Sequence, residues 1–423
     1  MSRARGGRRR VFSAPSTLVV VAGVVGALVL AGCSKSDGNQ STGQKGTTGN
    51  SGSSSDSGSG TKNAPTTPDG PAVKVDISPA ASAHANPVTP VVIKAADGTL
   101  QSVTMTNPKG LAVTGTYAAD KASWKTSEVL GYGKTYKISV QAKDAKGKVL
   151  TKTSSVTTMN PKTSYPSVVP PPQSTDIGVG MPLAVRFGAP MKSVADRAAV
   201  QKMLTVTSNP VQEGAWYWLS PTEVDYRPAT YWKAHSKLTL NIKIYGKDLG
   251  GGIYGQTDRT INYTVHDSWV AKADGNSETM HIYQNGVDVK DMPISMGKQA
   301  TPTHLGTHVI SAKDLVYTMD SCSYGVCSGP QHYRSVEHYA ERISDDGEFV
   351  HENPNSVGAQ GSTNVSHGCI NLNEANAQWF FAHLGVGDVV EVTNSGGPPL
   401  PVGDRIGVWA VQWPTWQAGN ATS

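Results

Sequence analysis

Short runs in which apolar and polar residues alternate, each closed by a turn sequence, recur through most of the chain and limit what it can fold into. One run extends from Tyr136 to Ala142 and leads into the turn residues Asp144–Gly147, and another extends from Leu238 to Ile244. A period of two is typical of strands that bury one face. With 45 Gly, 26 Pro and only 7% aromatic residues, the folded part is predicted to be mainly β and rich in loops.

The ordered part of the chain is too long for a single hydrophobic core, because about 350 residues exceed the size at which one core stops growing. The strand pattern predicts two immunoglobulin-like β-sandwich modules, a third domain and a tail, with bounds at 72–160, 161–266, 267–395 and 396–423. Five prolines between Pro161 and Pro172 predict a junction of limited flexibility between the two modules. The cysteine pair of antibody domains is absent from both modules.

The N-terminal region has the features of an export signal that ends in a lipid attachment site. Five arginines lie within the first ten residues and Thr17–Gly32 carries no charge, which is typical of a signal peptide at 1–32. Leu-Ala-Gly-Cys at 30–33 resembles a bacterial lipobox, so we expect Cys33 to become the lipidated first residue of the mature protein. An uncleaved membrane anchor is the alternative. The Gly- and Ser-rich segment 33–71 is predicted to be a disordered tether.

Charge and acidic residues exclude some functions for the modules. The net charge is +5 over 423 residues, and much of it lies in the signal region, so no nucleic-acid partner is predicted. Asp248–Gly252 offers a single carboxylate and is predicted to be a turn rather than a cation loop. The modules are therefore expected to act as spacers or contact surfaces.

The chemistry of the chain is concentrated in one short motif. Ser366–Asn371 reads Ser-His-Gly-Cys-Ile-Asn, and fourteen residues separate it from His351. A thiol near its reference pKa is mostly protonated at neutral pH, so a nucleophilic cysteine needs a neighbouring base. We predict that Cys369 is the nucleophile of an acyl-transfer site and that His351 is its base.

Two further residues of the motif have candidate roles. Gly368 has no side chain, so the backbone N–H groups of Gly368 and Cys369 can approach a reacting carbonyl and form an oxyanion hole. His367 shares a face with Cys369 in an extended segment. The alternatives are a buried structural cysteine and a zinc site, but Cys322 and Cys327 lie far upstream and do not supply the usual ligand pairs. Neither a metal nor another cofactor is predicted.

His351, its spacing and Ser366–Asn371 together resemble the signature of the L,D-transpeptidases of bacterial cell walls. The resemblance extends over roughly 72–423 and is greatest to the actinobacterial lipoprotein branch, which has two immunoglobulin-like modules before the catalytic domain. It implies a YkuD-type β-rich catalytic domain at 267–395 with a small C-terminal subdomain. Together with the lipobox-like sequence, it places the expected protein at the outer face of the cell membrane, anchored through Cys33 and reaching into the wall. We expect a monomer.

The resemblance implies a reaction on peptidoglycan stem peptides. Cys369 would form a thioester with a tetrapeptide donor, release D-alanine and pass the acyl group to a neighbouring stem as a 3-3 cross-link. β-Lactams of the carbapenem class would acylate the same thiol. Two alternatives stay open, namely an L,D-carboxypeptidase that uses water as the acceptor and a wall-binding scaffold with an idle catalytic domain.

The same resemblance assigns further residues to the site. The segment between Met319 and Tyr339 corresponds to the family's active-site lid, in which Tyr333 lines the donor pocket and donates to the oxyanion. The backbone carbonyl of Glu352 would hold the Nδ1–H of the base. Substrate contacts are expected from five other residues, which are Asp346, Gly347, Ser366, His367 and Asn371.

Two features depart from a simple catalytic domain. Cys322 and Cys327 are unusual in the lid, and outside the cell they can form a disulfide if a hairpin brings their Cα atoms within about 4.4–6.8 Å. We predict that they pair and stiffen the lid while Cys369 stays free, with two unpaired thiols as the alternative.

The tail after Gly396 holds three tryptophans and is predicted to pack on the catalytic domain or its neighbour.

Overall fold

Three strand-rich bodies follow one another along the chain in the computed structural model, which describes residues 71–81, 84–329, 332–404 and 406–421. The predicted signal peptide, Cys33 and the tether up to residue 70 lie outside the described residues. No helix in the described ranges is long and apolar enough to cross a membrane.

The first module is a sandwich of two four-stranded sheets, as predicted. Its strands pair in the orders β1-β3-β6-β5 and β2-β8-β7-β4, with bounds β1 Lys74–Ser78, β2 His84–Ala85, β3 Val92–Ala96, β4 Gly98–Thr106, β5 Gly115–Tyr117, β6 Ser123–Thr126, β7 Thr135–Asp144 and β8 Val149–Thr158. Burial alternates at every residue of β7, which is the period that the sequence predicts. Trp124 fills the core at 4% exposure.

The second module is also a sandwich, with sheets β10-β12-β15-β14 and β11-β18-β16-β13 and a small pair of β9 with β17. Its elements are β9 Lys162–Ser164, β10 Pro166–Val169, β11 Asp176–Ile177, β12 Leu183–Phe187, α1 Val194–Gln201, β13 Leu204–Asn209, β14 Gly214–Ser220, β15 Glu223–Pro228, β16 Lys237–Ile242, β17 Ile253–Gly255 and β18 Arg259–Val265.

Two local features of this module, a helix and a turn, are stabilised by short-range side-chain hydrogen bonds. Helix α1, which was not predicted, begins at a capping box in which the Ser193 side chain accepts from the backbone N–H of Asp196 and the Asp196 carboxylate accepts from the N–H of Ser193. This reciprocal pair satisfies donors that the first helical turn leaves free. The predicted turn at Asp248 is present, because its carboxylate accepts from the N–H of Gly250 at 2.8 Å.

The third body packs two sheets around one core and positions the site. A five-stranded sheet runs β21-β20-β19-β27-β22 and a four-stranded sheet runs β23-β24-β25-β26. The elements are β19 Trp269–Asp274, β20 Thr279–Gln284, β21 Val287–Pro293, β22 Gly306–Val309, β23 Ala312–Asp320, β24 Arg334–Arg342, β25 Phe349–Glu352, β26 Ile370–Leu372, α2 Glu374–His383 and β27 Val389–Thr393. Short 3-10 helices occupy Ser321–Tyr324 and Pro354–Ser356.

Local sequence explains two of these elements. Asn285 and Gly286 have φ values of 49° and 83°, which suits the tight hairpin between β20 and β21. Asn373 caps helix α2 by accepting from the N–H of Asn376 at 3.0 Å, and the helix buries Phe380. Strand β27 lies between β19 and β22 in the five-stranded sheet.

The tail packs on the second module. It forms a 3-10 helix at Gly407–Ala410 and α3 at Trp413–Ala418. The Arg227 guanidinium lies 4.5 Å from the ring centre of Trp409 and 4.4 Å from that of Trp416. Trp416 is fully buried, and its indole N–H donates to the Ala215 carbonyl at 2.8 Å. Burial of an indole with its N–H satisfied fixes the tail to the module.

We predict that Trp416→Ala lowers the free energy of unfolding of the body that contains this module by about 3–5 kcal/mol, because it removes a fully buried indole. Denaturant unfolding followed by tryptophan fluorescence measures the loss. Trp413→Ala is the matched control, since Trp413 is only half-buried and its loss should cost about 1 kcal/mol. Equal losses in the two variants would contradict this role for Trp416.

Candidate active site

The two predicted catalytic residues are brought together by a parallel strand pair. Strand β25 pairs with β26 in a register that sets His351 opposite Asn371. Cys369 stands immediately before β26, so the thiol and the imidazole meet although they are remote in sequence. Both are buried, with 6% exposure for Cys369 and 3% for His351, and Cys369 is a free cysteine.

The orientation of His351 is set by its Nδ1 atom. Nδ1 lies 2.6 Å from the backbone carbonyl of Glu352, which is the partner that the resemblance implied. A nitrogen that donates to a carbonyl carries the proton, so Nε2 is the atom left for the thiol. Burial alone would lower the pKa of His351, but hydrogen bonds and charges from Cys369 and Glu337 outweigh it and raise the pKa to about 10. The site therefore favours an imidazolium beside the sulfur.

The turn that carries the nucleophile is held by hydroxyl groups. The Ser366 hydroxyl donates to the Cys369 carbonyl at 2.6 Å and accepts from the Gly368 N–H at 3.1 Å. From a neighbouring loop, the Thr303 hydroxyl donates to the Gly368 carbonyl at 2.7 Å and accepts from the Gly297 N–H at 3.0 Å. Gly368 has a φ of 128°, a conformation that residues with side chains rarely adopt.

This geometry bears on the predicted oxyanion hole. In the absence of substrate, the N–H of Gly368 donates to the Ser366 hydroxyl, and the backbone conformation also favours glycine at this position. The roles of the Gly368 and Cys369 N–H groups and of the Tyr333 side chain as donors to a substrate oxyanion stay predictions.

A cleft of about 350 Å³ opens over the thiol. Its wall includes predicted and unpredicted residues, namely Met319, Tyr333, Ser335, Glu337, His351, Asn353, Asn355, Ser356, Val365, Ser366, His367, Cys369 and Asn371. The rings of Tyr333 and His367 lie 5.2 Å apart, and Lys298 Nζ lies 3.0 Å from His367 Nε2. Asn371 Oδ1 is buried without a hydrogen-bond partner among the described residues, which leaves an unpaired acceptor behind the cleft wall.

The lid is formed by the hairpin of β23 and β24. Ser321 ties its two sides together, because its N–H donates to the Tyr333 carbonyl at 3.1 Å and its Oγ accepts from the Tyr333 N–H at 2.9 Å. Cys322 and Cys327 form a disulfide with Cα atoms 4.1 Å apart. The cysteines are closer than the expected 4.4–6.8 Å, since a 3-10 turn ending at Gly325 joins them rather than a β-hairpin.

Gly347 and Asp346 differ in their relation to the thiol. The carbonyl of Gly347 lies 3.6 Å from Cys369 Sγ. Asp346 does not line the cleft, because its carboxylate contacts Ser344 and lies 3.4 Å from His304 Nδ1. A substrate contact by Asp346 stays a prediction.

Behind the nucleophile turn lies a cluster of imidazoles and carboxylates that the sequence did not single out. Glu348 lies 3.0 Å from His304 and 3.2 Å from His308. Burial would raise the pKa of Glu348, but these hydrogen bonds lower it below its usual value. His304, Asp346 and Glu348 have possible ligand atoms within 4.8 Å of one another and could hold a metal ion, as could His281, Asp288 and Asp291.

Glu337 is the functional candidate that sequence reasoning missed. Its carboxylate lies 3.3 Å from Nδ1 of His351. The sequence could have indicated Glu337 through its spacing from Tyr333, because residues 333, 335 and 337 share one face of a strand.

The comparisons with known proteins identify families for both parts of the chain. Residues 268–392 match the family described as the L,D-transpeptidase catalytic domain, and residues 82–248, which span both modules, match a bacterial Ig domain. L,D-transpeptidase 2 of Mycobacterium tuberculosis is 41% identical over 78% of this chain and 81% of that protein. L,D-transpeptidase 5 of the same organism is 34% identical over 83% and 78%.

Solved structures match about half of the chain. A structure of L,D-transpeptidase 3 from Mycobacterium tuberculosis with a faropenem-derived adduct is 30% identical and covers 54% of this chain and 97% of that one, with a TM-score of 0.46.

We predict that Thr303→Val destabilises the nucleophile turn, because valine keeps the shape but leaves the Gly368 carbonyl and the Gly297 N–H buried and unpaired. Each such group costs about 1–3 kcal/mol, and denaturant unfolding measures the sum. Thr301→Val serves as the control, since its partly exposed hydroxyl donates to the Ser366 carbonyl at 3.2 Å. A Thr303 variant no less stable than the Thr301 variant would refute the claim.

Proposed function

Because the chain belongs to the L,D-transpeptidase family of acyltransferases, we propose that it forms 3-3 cross-links in peptidoglycan through a thioester on Cys369. The observation that carries the proposal is that the pairing of β25 with β26 places the Cys369 thiol and the His351 imidazole in the wall of one cleft. A free thiol beside a base is the arrangement that nucleophilic acyl transfer requires.

In the first half-reaction, the Cys369 thiolate attacks the carbonyl of the third residue of a tetrapeptide stem, which is a diamino acid. The Cys369 N–H and the Tyr333 hydroxyl stabilise the oxyanion. The C–N bond to the terminal D-alanine then breaks, and the His351 imidazolium gives its proton to the departing amine. The raised pKa of His351 supports this step, because the imidazole then already carries the proton when the thiolate attacks.

In the second half-reaction, the side-chain amine of a neighbouring stem attacks the thioester. Neutral His351 takes the proton from that amine, the C–S bond breaks, and the thiolate and imidazolium are restored. The amide groups of Asn353, Asn355 and Asn371 line the cleft and can hydrogen-bond the peptide backbones of the two stems.

Hydrolysis is the nearest competing activity, because water can replace the amine as acceptor. Incubation of the protein with a tetrapeptide stem, with and without an acceptor stem, separates the two activities. Cross-linked dimer in the presence of acceptor supports transpeptidation, whereas tripeptide alone under both conditions identifies an L,D-carboxypeptidase. Binding to isolated cell walls with neither product would leave only the scaffold function.

Carbapenems test the nucleophile directly. We expect one covalent adduct per molecule by intact mass, and none in Cys369→Ala, because the β-lactam carbonyl would acylate the same sulfur. The variant in which Cys322 and Cys327 are both changed to Ala is the control and should keep the adduct, since these residues form the lid disulfide. An adduct that persists in Cys369→Ala would overturn the assignment of the nucleophile.

We also propose that the protein is held at the outer face of the membrane by lipid on Cys33, with the two modules as spacers. The lipobox-like sequence at 30–33 supports this location. Fractionation of cells should find the wild type with the membrane and Cys33→Ala released from it. If both remain with the membrane equally, lipidation at Cys33 is not the anchor.

A further inference from the structure

We propose that Glu337, carried by the lid, is a positioning residue that holds the proton of His351 on Nδ1 and keeps the ring turned toward Cys369. The proposal rests on the proposed function, because it concerns the same base and nucleophile. It makes the lid strand part of the catalytic apparatus rather than a cover alone.

The lid strand presents one face to the cleft. Along β24, Arg334, Val336 and His338 are exposed, whereas Ser335 and Glu337 between them are half-buried. This alternation places Glu337 on the same side as Tyr333. Both residues line the cleft, so a carboxylate of the lid faces the base from across it.

The contact between Glu337 and His351 has a defined geometry. Glu337 Oε2 lies 3.3 Å from Nδ1, and the Glu352 carbonyl lies 2.6 Å from the same atom. Nδ1–H is therefore shared by two acceptors, and only one of them carries a charge. The carbonyl can orient the ring, but a carboxylate also stabilises the imidazolium electrostatically.

Glu337 is suited to remain charged in this position. Only 14% of its side chain is exposed. Burial would raise its pKa, but hydrogen bonds from His351 and Ser335 and the nearby imidazoles lower the pKa below its usual value. A carboxylate that stays ionised beside an imidazolium contributes its full negative charge at neutral pH.

The other titratable groups near the base are engaged elsewhere. The side chain of Glu352 lies 3.3 Å from His338 on the lid strand. On the nucleophile turn, His367 contacts Lys298 at 3.0 Å. Cys369 and Glu337 are thus the groups that act most strongly on the charge of His351.

The contact also depends on where the lid lies. Strand β24 pairs with β25 only through Glu341 with Val350 and Arg342 with Phe349. Glu337 stands beyond this paired end, so it reaches His351 by its side chain alone. Displacement of the hairpin from the cleft would remove the carboxylate from Nδ1 while leaving the carbonyl of Glu352 in place.

The test is the titration of His351 by NMR in protein with carbon-labelled histidine, with the His351 signal assigned from its absence in His351→Gln. Glu337→Gln keeps the size of the side chain and removes its charge. We expect the pKa of His351 to fall by about 1 unit, because an opposite charge at this distance raises a pKa by about 1–3 units.

Two further variants control this experiment. Asp314→Asn removes a carboxylate from an exposed position on the same hairpin and should leave the pKa of His351 unchanged. Glu337→Asp keeps the charge and should restore part of the shift. An unchanged His351 pKa in Glu337→Gln, with a wild-type melting temperature and an intact disulfide, would overturn the proposal. These readouts need no wall substrate, so they remain informative even if the protein fails to cross-link stems.

Discussion

The site depends on one buried pairing, that of the Cys369 thiol with the His351 imidazole, which acts on the charge of the ring. Two ionisable groups with little exposure to water are costly to charge separately, so each needs the other and a set of fixed dipoles. The parallel pairing of β25 and β26 supplies the proximity. The Glu352 carbonyl and the Glu337 carboxylate supply the orientation and the compensating charge.

Local patterns made much of the molecule predictable. The alternation along β7 and the turn at Asp248 each depend on a few neighbouring residues, and both are present. The nucleophile and its base could be named because their residue types and spacing carry a family resemblance. That resemblance also pointed to the Glu352 carbonyl, which needs no particular side chain to act.

The remaining features depend on three-dimensional placement that a sequence pattern does not carry. Thr303 supports the nucleophile turn from a loop more than sixty residues away. Glu337 can reach His351 only because the alternation along β24 turns its side chain toward the cleft. The N–H of Gly368 donates to the Ser366 hydroxyl, and the lid cysteines meet through a 3-10 turn where a hairpin was expected. Each of these features depends on how two segments of the chain lie relative to each other in the fold.

The most direct measurement is rapid-quench intact mass of the protein mixed with a disaccharide-tetrapeptide donor and no acceptor. The account predicts a transient mass increase equal to the donor without its terminal D-alanine, mapped by digestion to the peptide that contains Cys369 and absent in His351→Gln. Release of D-alanine at full rate without any thioester on Cys369 would contradict it.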